Sequence, residues 1–375
     1  MVLLIGNYEP DRQQSMQRFG TMLLQGLTAA GIAAELIRPE PFFGNFRLAG
    51  AFMAKWLAYL DKFVLFPPRL RARLRSAPAL VHICDHSNAM YAQHMKATKV
   101  VVTCHDFLAV RGALGEETDT PASSTGRLLQ RWILAGLKRA TALACVSQRT
   151  RDDAERFVPR QNGRPQLHVI PLGLSYPFRP IARAEAEERL RPIPNLEPEL
   201  PFVLHVGSNL RRKNREAILR IFARCGAEWP GQLVFAGERL SDSLLAQAHE
   251  LGISDRIIQV PAPTSEQLEA LYNRAGAFLF PSRFEGFGWP IIEAQACGCP
   301  VVCSSAEPMR EIAGTGAMLR DPADEEGCAH DLLHLLTPGA REEWSARALQ
   351  NAQRFTTARM ISEYISLYRS LAPAC

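Results

Sequence analysis

The 375-residue chain contains no uncharged apolar run long enough to span a bilayer, which argues against a membrane-crossing helix. Its opening, MVLLIGNYEP, has no basic leader and reaches Gly6-Asn7-Tyr8 early, so it reads as a first strand and not as a secretory signal. None of the nine cysteines stands in a Cys-x-x-Cys pair. Cys297, Cys299 and Cys303 straddle a helix end and the following strand, where their side chains diverge, so no zinc or redox site is expected. Cys84, Cys104 and Cys145 lie inside apolar runs, as the reduced core thiols of a cytoplasmic protein do. The sequence also lacks an Asp-x-Asp metal motif, a long basic run and any nucleic-acid motif. The net charge of +5 therefore suits a diphosphate or an anionic membrane surface better than nucleic acid.

What is present is the make-up of a globular protein, 47% apolar and 22% charged, at a length that suits two domains. Apolar runs at Val2–Gly6, Ala33–Ile37, Leu80–Cys84, Val100–Cys104, Ala142–Val146 and His168–Ile170 alternate with helical patterns such as Gln14–Ala30 and Arg127–Arg139. The rhythm repeats at Phe202–Val206, Gln232–Ala236, Ile257–Val260, Ala277–Phe280 and Val301–Cys303. Strands separated by helices predict parallel sheets covered on both faces, an α/β fold of two doubly wound halves. The prolines of Ser175–Pro201 place a hinge between domains at 1–180 and 195–350. Met360, Ile361, Tyr364, Ile365 and Tyr368 recur at helical spacing, and a helix over about 356–371 is expected to pack back on the first domain.

Two loops carry the chemistry. In Phe280–Val302 an apolar strand ends at Phe280-Pro281-Ser282, Gly286 and Gly288 permit a tight turn, and Pro290 suits the start of a helix. Glu285 stands in that turn and Glu293 on the first helical turn, where the amide-rich helix end favours phosphate. A solvated loop acid and a helix-start acid favoured by the dipole are the plain alternatives for the two residues taken singly. In His205–Asn214 a second strand ends at Gly207, followed by Arg211, Arg212 and Lys213. The carboxyl ends of parallel strands hold ligands, so both loops are expected at one crevice edge. There Arg212 can fork onto phosphate oxygens and Lys213 can act as a compact charge.

Glu285–Glu293, the Gly207…Arg212-Lys213 loop and the two halves together resemble the retaining GT-B glycosyltransferases of the GT4 group, most strongly over Phe202–Ser305. That resemblance implies two Rossmann-like domains facing each other across a cleft, and transfer of a sugar from a nucleotide diphosphate sugar to a hydroxyl of a glycan, polysaccharide precursor or lipid-linked acceptor. It implies that Glu293 binds the nucleotide ribose and that Glu285 lies near the donor sugar. The amides around Phe287 and Gly288 would hold sugar hydroxyls and phosphate, and the base would sit near Gly237 and Val260. Arg212 and Lys213 would stabilise the departing diphosphate, so no metal or cofactor is expected. In the first domain the resemblance points to His105, at the end of Val100–Cys104, with Asp106 to orient it; a capping or packing role for the pair is the plain alternative. The loop Asn7–Met16 departs from the glycine-rich turn usual after the first strand in such proteins.

Phe46–Arg75 mixes Phe52, Met53, Trp56, Leu60 and Phe63 with Lys55, Lys62, Arg69, Arg71, Arg73 and Arg75. It reads as a segment able to lie on an anionic membrane at the inner face, or as a core-facing helix with a solvated basic end. The pairs His82/His86 and His330/His334 lack a third ligand nearby and are not expected to bind metal. Competing readings are a sugar-nucleotide epimerase on a similar fold and a catalytically silent nucleotide-sugar-binding protein.

Overall fold

Short runs such as Val2-Leu3-Leu4-Ile5 and Ala277-Phe278-Leu279-Phe280 have apolar residues on both faces, and such strands persist only where helices cover both sides of a sheet. The computed structural model describes residues 1–11, 13–44, 51–95, 97–119, 121–159, 165–197, 200–226 and 229–373, with the backbone alone at 51, 52, 54 and 55. The first sheet contains β1 (Val2–Ile5), β2 (Ala34–Ile37), β3 (Leu80–Ile83), β4 (Lys99–Cys104), β5 (Ala142–Cys145) and β6 (Gln166–Val169), in the spatial order β2-β1-β3-β4-β5-β6. The second contains β7 (Phe202–Gly207), β8 (Gln232–Gly237), β9 (Ile257–Pro261), β10 (Ala277–Phe280), β11 (Val301–Ser304) and β12 (Met318–Arg320), in the order β12-β11-β10-β7-β8-β9. Every strand pairing described in them is parallel.

One unit comprises Met1–Ser175 with Thr357–Cys375, the other Tyr176–Thr356. The division falls ahead of the proline-rich stretch, so most of the expected hinge is built into the second unit. Arg183–Leu190 is a helix there, and the prolines bracket it instead of interrupting it. Arg189 donates to Glu269 at 2.7 Å, and the amides of Arg179 and Ile181 donate to Glu269 and Asn273 at 3.1 and 2.9 Å. The C-terminal helix Thr357–Leu371 returns to the first unit. No helix among the described residues is long and apolar enough to cross a membrane.

In each sheet the strand order reverses at one place, between β1 and β3 in the first and between β7 and β10 in the second. Helices run away to opposite faces at such a point, leaving room above the strand ends for a ligand. In both units the two loops flanking that point are tied together by side chains. Asn7 donates to Asp85 at 2.5 Å in the first, and Arg212 and Lys213 donate to Glu285 in the second.

Beneath the first of these edges lies a polar core. His82 shares hydrogen bonds with Tyr368 (2.5 Å) and Thr103 (2.7 Å), and Thr103 in turn with Tyr364 (2.9 Å). Burial, aided by nearby His105, pulls the His82 pKa down to about 3. The unfolded chain binds a proton at this residue near pH 6.5, whereas the folded one refuses it until about pH 3. The stability is therefore fully kept above pH 6.5 and declines as the pH falls toward 3. The expected slope is about 1.4 kcal/mol per pH unit for one proton. Denaturant titrations between pH 7 and 5 should show a flatter dependence in His82→Gln than in the parent. An identical slope in both would assign the acid sensitivity to other groups.

Candidate active site at the two sheet edges

The second unit's site begins at the paired ends of β7 and β8, where Gly207 lies beside Gly237. Gly237 has φ +115°, and a Cβ there would meet the Gly207 carbonyl oxygen at 2.4 Å, so only glycine lets these strand ends approach. The chain then makes a short 3-10 turn, Arg211–Lys213, and reverses at Asn214, which takes the left-handed conformation (φ +58°). The Asn214 side-chain Nδ2 donates to the carbonyls of Pro281 (3.2 Å) and Pro322 (3.1 Å), pinning the turn to the segments that follow β10 and β12. The amide of Arg283 donates back to the Arg212 carbonyl at 2.7 Å. The two loops are thus joined by backbone before any charge is counted.

On this frame the three charged side chains converge. Glu285 accepts from Arg212 Nη1 at 2.5 Å through Oε2 and from Lys213 Nζ at 2.7 Å through Oε1. Arg212 Nη1 also donates to the Phe284 carbonyl at 3.1 Å. Lys213 is buried, and its ammonium lies 4.8 Å from the centre of the Phe280 ring. Burial alone would push the Glu285 carboxyl up, but the charges of Lys213 and Arg212 hold it below the usual carboxylate range. For Lys213, burial lowers the pKa, opposed by the attraction of Glu285.

Arg215 escaped the sequence reading. From the first turn of Arg215–Cys225 it reaches back to Asn209 Oδ1 (2.7 Å) and to the carbonyls of Glu238 (2.9 Å) and Gly207 (2.7 Å), and burial brings its pKa down to about 10. A cation at a helix start opposes the dipole, which was the one cue available in the sequence. Arg211 turns elsewhere, lining a neighbouring polar cavity of about 270 Å³ with Asn209, Ser241, Ser243 and Arg283.

The helix Trp289–Ala296 starts after Gly288 (φ +105°) with Pro290 in its first turn. Glu293 therefore lies one turn into the helix and not on its first turn, so it owes its place to a buried contact. It accepts a hydrogen bond from Tyr272 at 3.0 Å. Phe287 is buried, with its ring edge-on to Phe355 (5.8 Å, 83°). Val260 is buried in β9.

In the first unit His105 follows β4, and its Nε2 lies 3.0 Å from the Cys84 carbonyl. A carbonyl only accepts, so Nε2 carries the hydrogen and Nδ1 offers a buried lone pair with no partner among the described residues. Burial lowers the pKa of this imidazole and keeps it neutral. Asp106 does not orient it through a described hydrogen bond; its Oδ1 accepts from the Leu108 amide at 2.9 Å. The orienting group is the Cys84 carbonyl on the adjacent strand end. Asn7 and Asp85 were missed as well. Asn7 Nδ2 donates to Gln13 (2.6 Å) and Asp85 (2.5 Å), which aims its own unpartnered Oδ1 away from both. Asp85 also accepts from the Ser87 amide and hydroxyl (3.0 and 2.6 Å) and lies 3.2 Å from His86 Nδ1. Burial opposes its ionisation, yet these partners hold its carboxyl well below the ordinary range.

Among the described residues no group of three or more His, Cys, Asp or Glu side chains is arranged to hold a metal ion. Cys297, Cys299 and Cys303 are buried free thiols.

Comparison with known proteins gives a consistent picture. The sequence model described as "Glycosyl transferases group 1" matches residues 186–354, and that described as "Glycosyltransferase Family 4" matches residues 16–175. The O-antigen chain mannosyltransferase B of Escherichia coli is 34% identical over 180 residues, 45% of this chain and 46% of that protein. The D-inositol 3-phosphate glycosyltransferase of Nocardia farcinica is 30% identical over 235 residues, 60% of this chain and 49% of that protein. The matched part thus spans about half the length of these curated relatives. Among solved structures, the sucrose-phosphate synthase of Thermosynechococcus elongatus superposes with a TM-score of 0.79 at 21% identity, covering 100% of this chain and 99% of its own. Anabaena HepE, solved in complex with UDP, gives a TM-score of 0.74 at 16% identity over 99% of this chain and 100% of its own.

Proposed function

The chain belongs to the GT4 family of GT-B glycosyltransferases, and from that premise we propose that it transfers a sugar from a nucleotide diphosphate sugar to a hydroxyl acceptor, with retention at the anomeric carbon. The observation that carries this reading is the meeting of Arg212, Lys213 and Glu285 where the second sheet reverses its strand order. Breaking the sugar–phosphate bond leaves negative charge on the diphosphate and positive charge on the sugar. Two fixed cations meet the first without waiting for solvent to reorganise. Glu285 is assigned to the sugar side, and Glu293, fixed by Tyr272, to the ribose. In the first unit, neutral His105 is assigned to the transferring sugar, where Nδ1 can accept from a hydroxyl. The reaction as proposed needs no metal or cofactor, because Arg212 and Lys213 take the charge of the leaving group. That HepE was solved with UDP and with UDP-glucose, and that the E. coli relative is a mannosyltransferase of O-antigen chains, favours a sugar nucleotide as donor and a glycan or lipid-linked acceptor.

The test is a thermal-shift panel of nucleotide sugars, followed by transfer assays with those that bind. A ligand held only by the folded state raises the melting temperature in proportion to the logarithm of its concentration over Kd. At least one nucleotide sugar should do so and be consumed faster when a hydroxyl acceptor is present. Interconversion of the sugar without any acceptor would instead establish an epimerase. Binding with no turnover on any acceptor would establish a silent binder.

The acceptor reading extends to a membrane surface. Ala51–Leu60, Asp61–Leu65 and Phe66–Leu74 follow one another as helical segments, and Met53, Trp56, Leu60 and Val64 stand exposed along them at spacings of three and four. Residues 46–50 and the side chains of Phe52 and Lys55 lie outside the described residues. Arg71 and Arg75 are exposed beyond the apolar stripe, while Arg69 and Arg73 are paired with Glu40 and Glu35. An apolar stripe continued by cations fits an anionic bilayer surface. The protein should co-sediment with vesicles containing phosphatidylglycerol, less so in 0.5 M salt, and Trp56→Glu should abolish the effect. Equal binding to neutral vesicles, or none to either, would remove the membrane from the proposal.

A further inference from the structure

The two cations assigned to the donor's diphosphate already hold an anion. Glu285 takes a contact from each of them, its side chain is nearly inaccessible, and their charges keep it ionised. A carboxylate and a phosphate oxygen are equivalent acceptors for ammonium and guanidinium donors, so Glu285 sits where a diphosphate oxygen would be expected to bind. Once a diphosphate arrives, two anions share one buried pair of cations, and their mutual repulsion is poorly screened there. The carboxylate has to give way. Away from Arg212 and Lys213 it is a buried charge in need of new hydrogen-bond donors.

We propose that this competition makes Glu285 the residue by which the site selects a sugar nucleotide over the bare nucleoside diphosphate. The inference rests on the donor assignment above and adds a consequence to it. A sugar attached to the diphosphate brings hydroxyls that donate to the displaced carboxylate and offset the broken ion pairs. A bare diphosphate displaces Glu285 and brings no such donors, so it binds less tightly than its own charge would dictate. After transfer, the carboxylate returns to the cations and helps to expel the spent nucleotide. Gly286 and Gly288 on either side of Phe287 give the loop the backbone freedom this exchange requires.

The experiment is calorimetric titration of the parent and of Glu285→Gln with UDP, GDP, ADP and CDP and with the corresponding nucleotide sugars, alongside turnover. Glu285→Gln should bind the preferred diphosphate about tenfold more tightly than the parent, the change expected for release of one charge-assisted contact. Its preference for sugar nucleotide over diphosphate should fall by at least the same factor, and turnover should be lost. Glu285→Asp, which retracts the carboxylate by one methylene, should fall between the two and carries the test where circular dichroism shows that the glutamine variant does not fold. Unchanged or weaker diphosphate binding in these variants, with the parent still binding sugar nucleotides, overturns the competition while leaving the donor assignment intact. A parent that binds none of the nucleotides overturns both.

Discussion

Lys213→Ala is expected to lower kcat/KM for the sugar nucleotide by about 10- to 150-fold, the equivalent of about 1.5–3 kcal/mol for one charge-assisted contact. The magnitude follows from where the ammonium sits. It is buried beside the Phe280 ring, within 2.7 Å of Glu285, so its charge is only weakly screened by water. The substitution acts twice. It removes a cation from the diphosphate, and it leaves Glu285 to Arg212 alone, as a buried carboxylate with half its ion pairing. Weaker binding of the bare diphosphate should accompany the kinetic loss, the opposite sign from Glu285→Gln. Lys213→Arg is expected to restore little, because a larger, planar guanidinium would have to fit where a compact ammonium is buried. Initial rates at several donor concentrations, with the fold checked by circular dichroism, decide it. A kcat/KM within twofold of the parent would remove Lys213 from the donor site.

Much of this site is legible in the sequence. The apolar runs of β7 and β10 identify parallel strands, and in such sheets function gathers at the carboxyl ends, so the loops at Arg212-Lys213 and Glu285 could be paired from sequence alone. What the sequence hides is any partner chosen by distance in space. Asn7 and Asp85 are 78 positions apart, and only the adjacency of β1 and β3 explains why the amide of one donates to the carboxylate of the other. Arg215 looks like another surface cation until its guanidinium is seen bonded to the carbonyls of Gly207 and Glu238. The helix Arg183–Leu190 was masked by its flanking prolines, whose local effect was read correctly and extended too far along the chain. β12 is three residues long and half-buried throughout, which leaves no apolar run to detect. The sequence pattern puts Glu293 on the first helical turn, whereas the helix starts at Trp289 and carries it into the second turn, beside Tyr272.

Tyr364→Ala should destabilise the first unit by about 3–5 kcal/mol, the range for removing a large buried aromatic, and leave the second nearly unchanged. Tyr364 is close in sequence to the second unit, yet every contact described for it belongs to the first. Its ring meets Phe19 (6.0 Å), His82 (5.2 Å) and Tyr368 (6.1 Å), and its hydroxyl is 2.9 Å from Thr103 Oγ1. The residue closes the polar core under the first sheet edge, where Thr103 bonds Nε2 of His82 and Tyr368 bonds its Nδ1. Removing it opens a cavity beside a histidine held neutral by burial, so water gains a route to His82 and the pKa should climb from about 3 toward 6.5. The variant should therefore lose both stability and part of the parent's pH dependence between 7 and 5. Hydrogen exchange resolved by peptide would show faster exchange in β3 and β4, which carry His82 and Thr103, with β7 to β11 protected as before. Tyr364→Phe, which removes only the hydroxyl, separates the hydrogen bond from the packing and is expected to cost about 1 kcal/mol. Loss of protection in the second unit with the first intact would mean that the C-terminal helix stabilises the unit that precedes it in the chain, contrary to the division at Thr357.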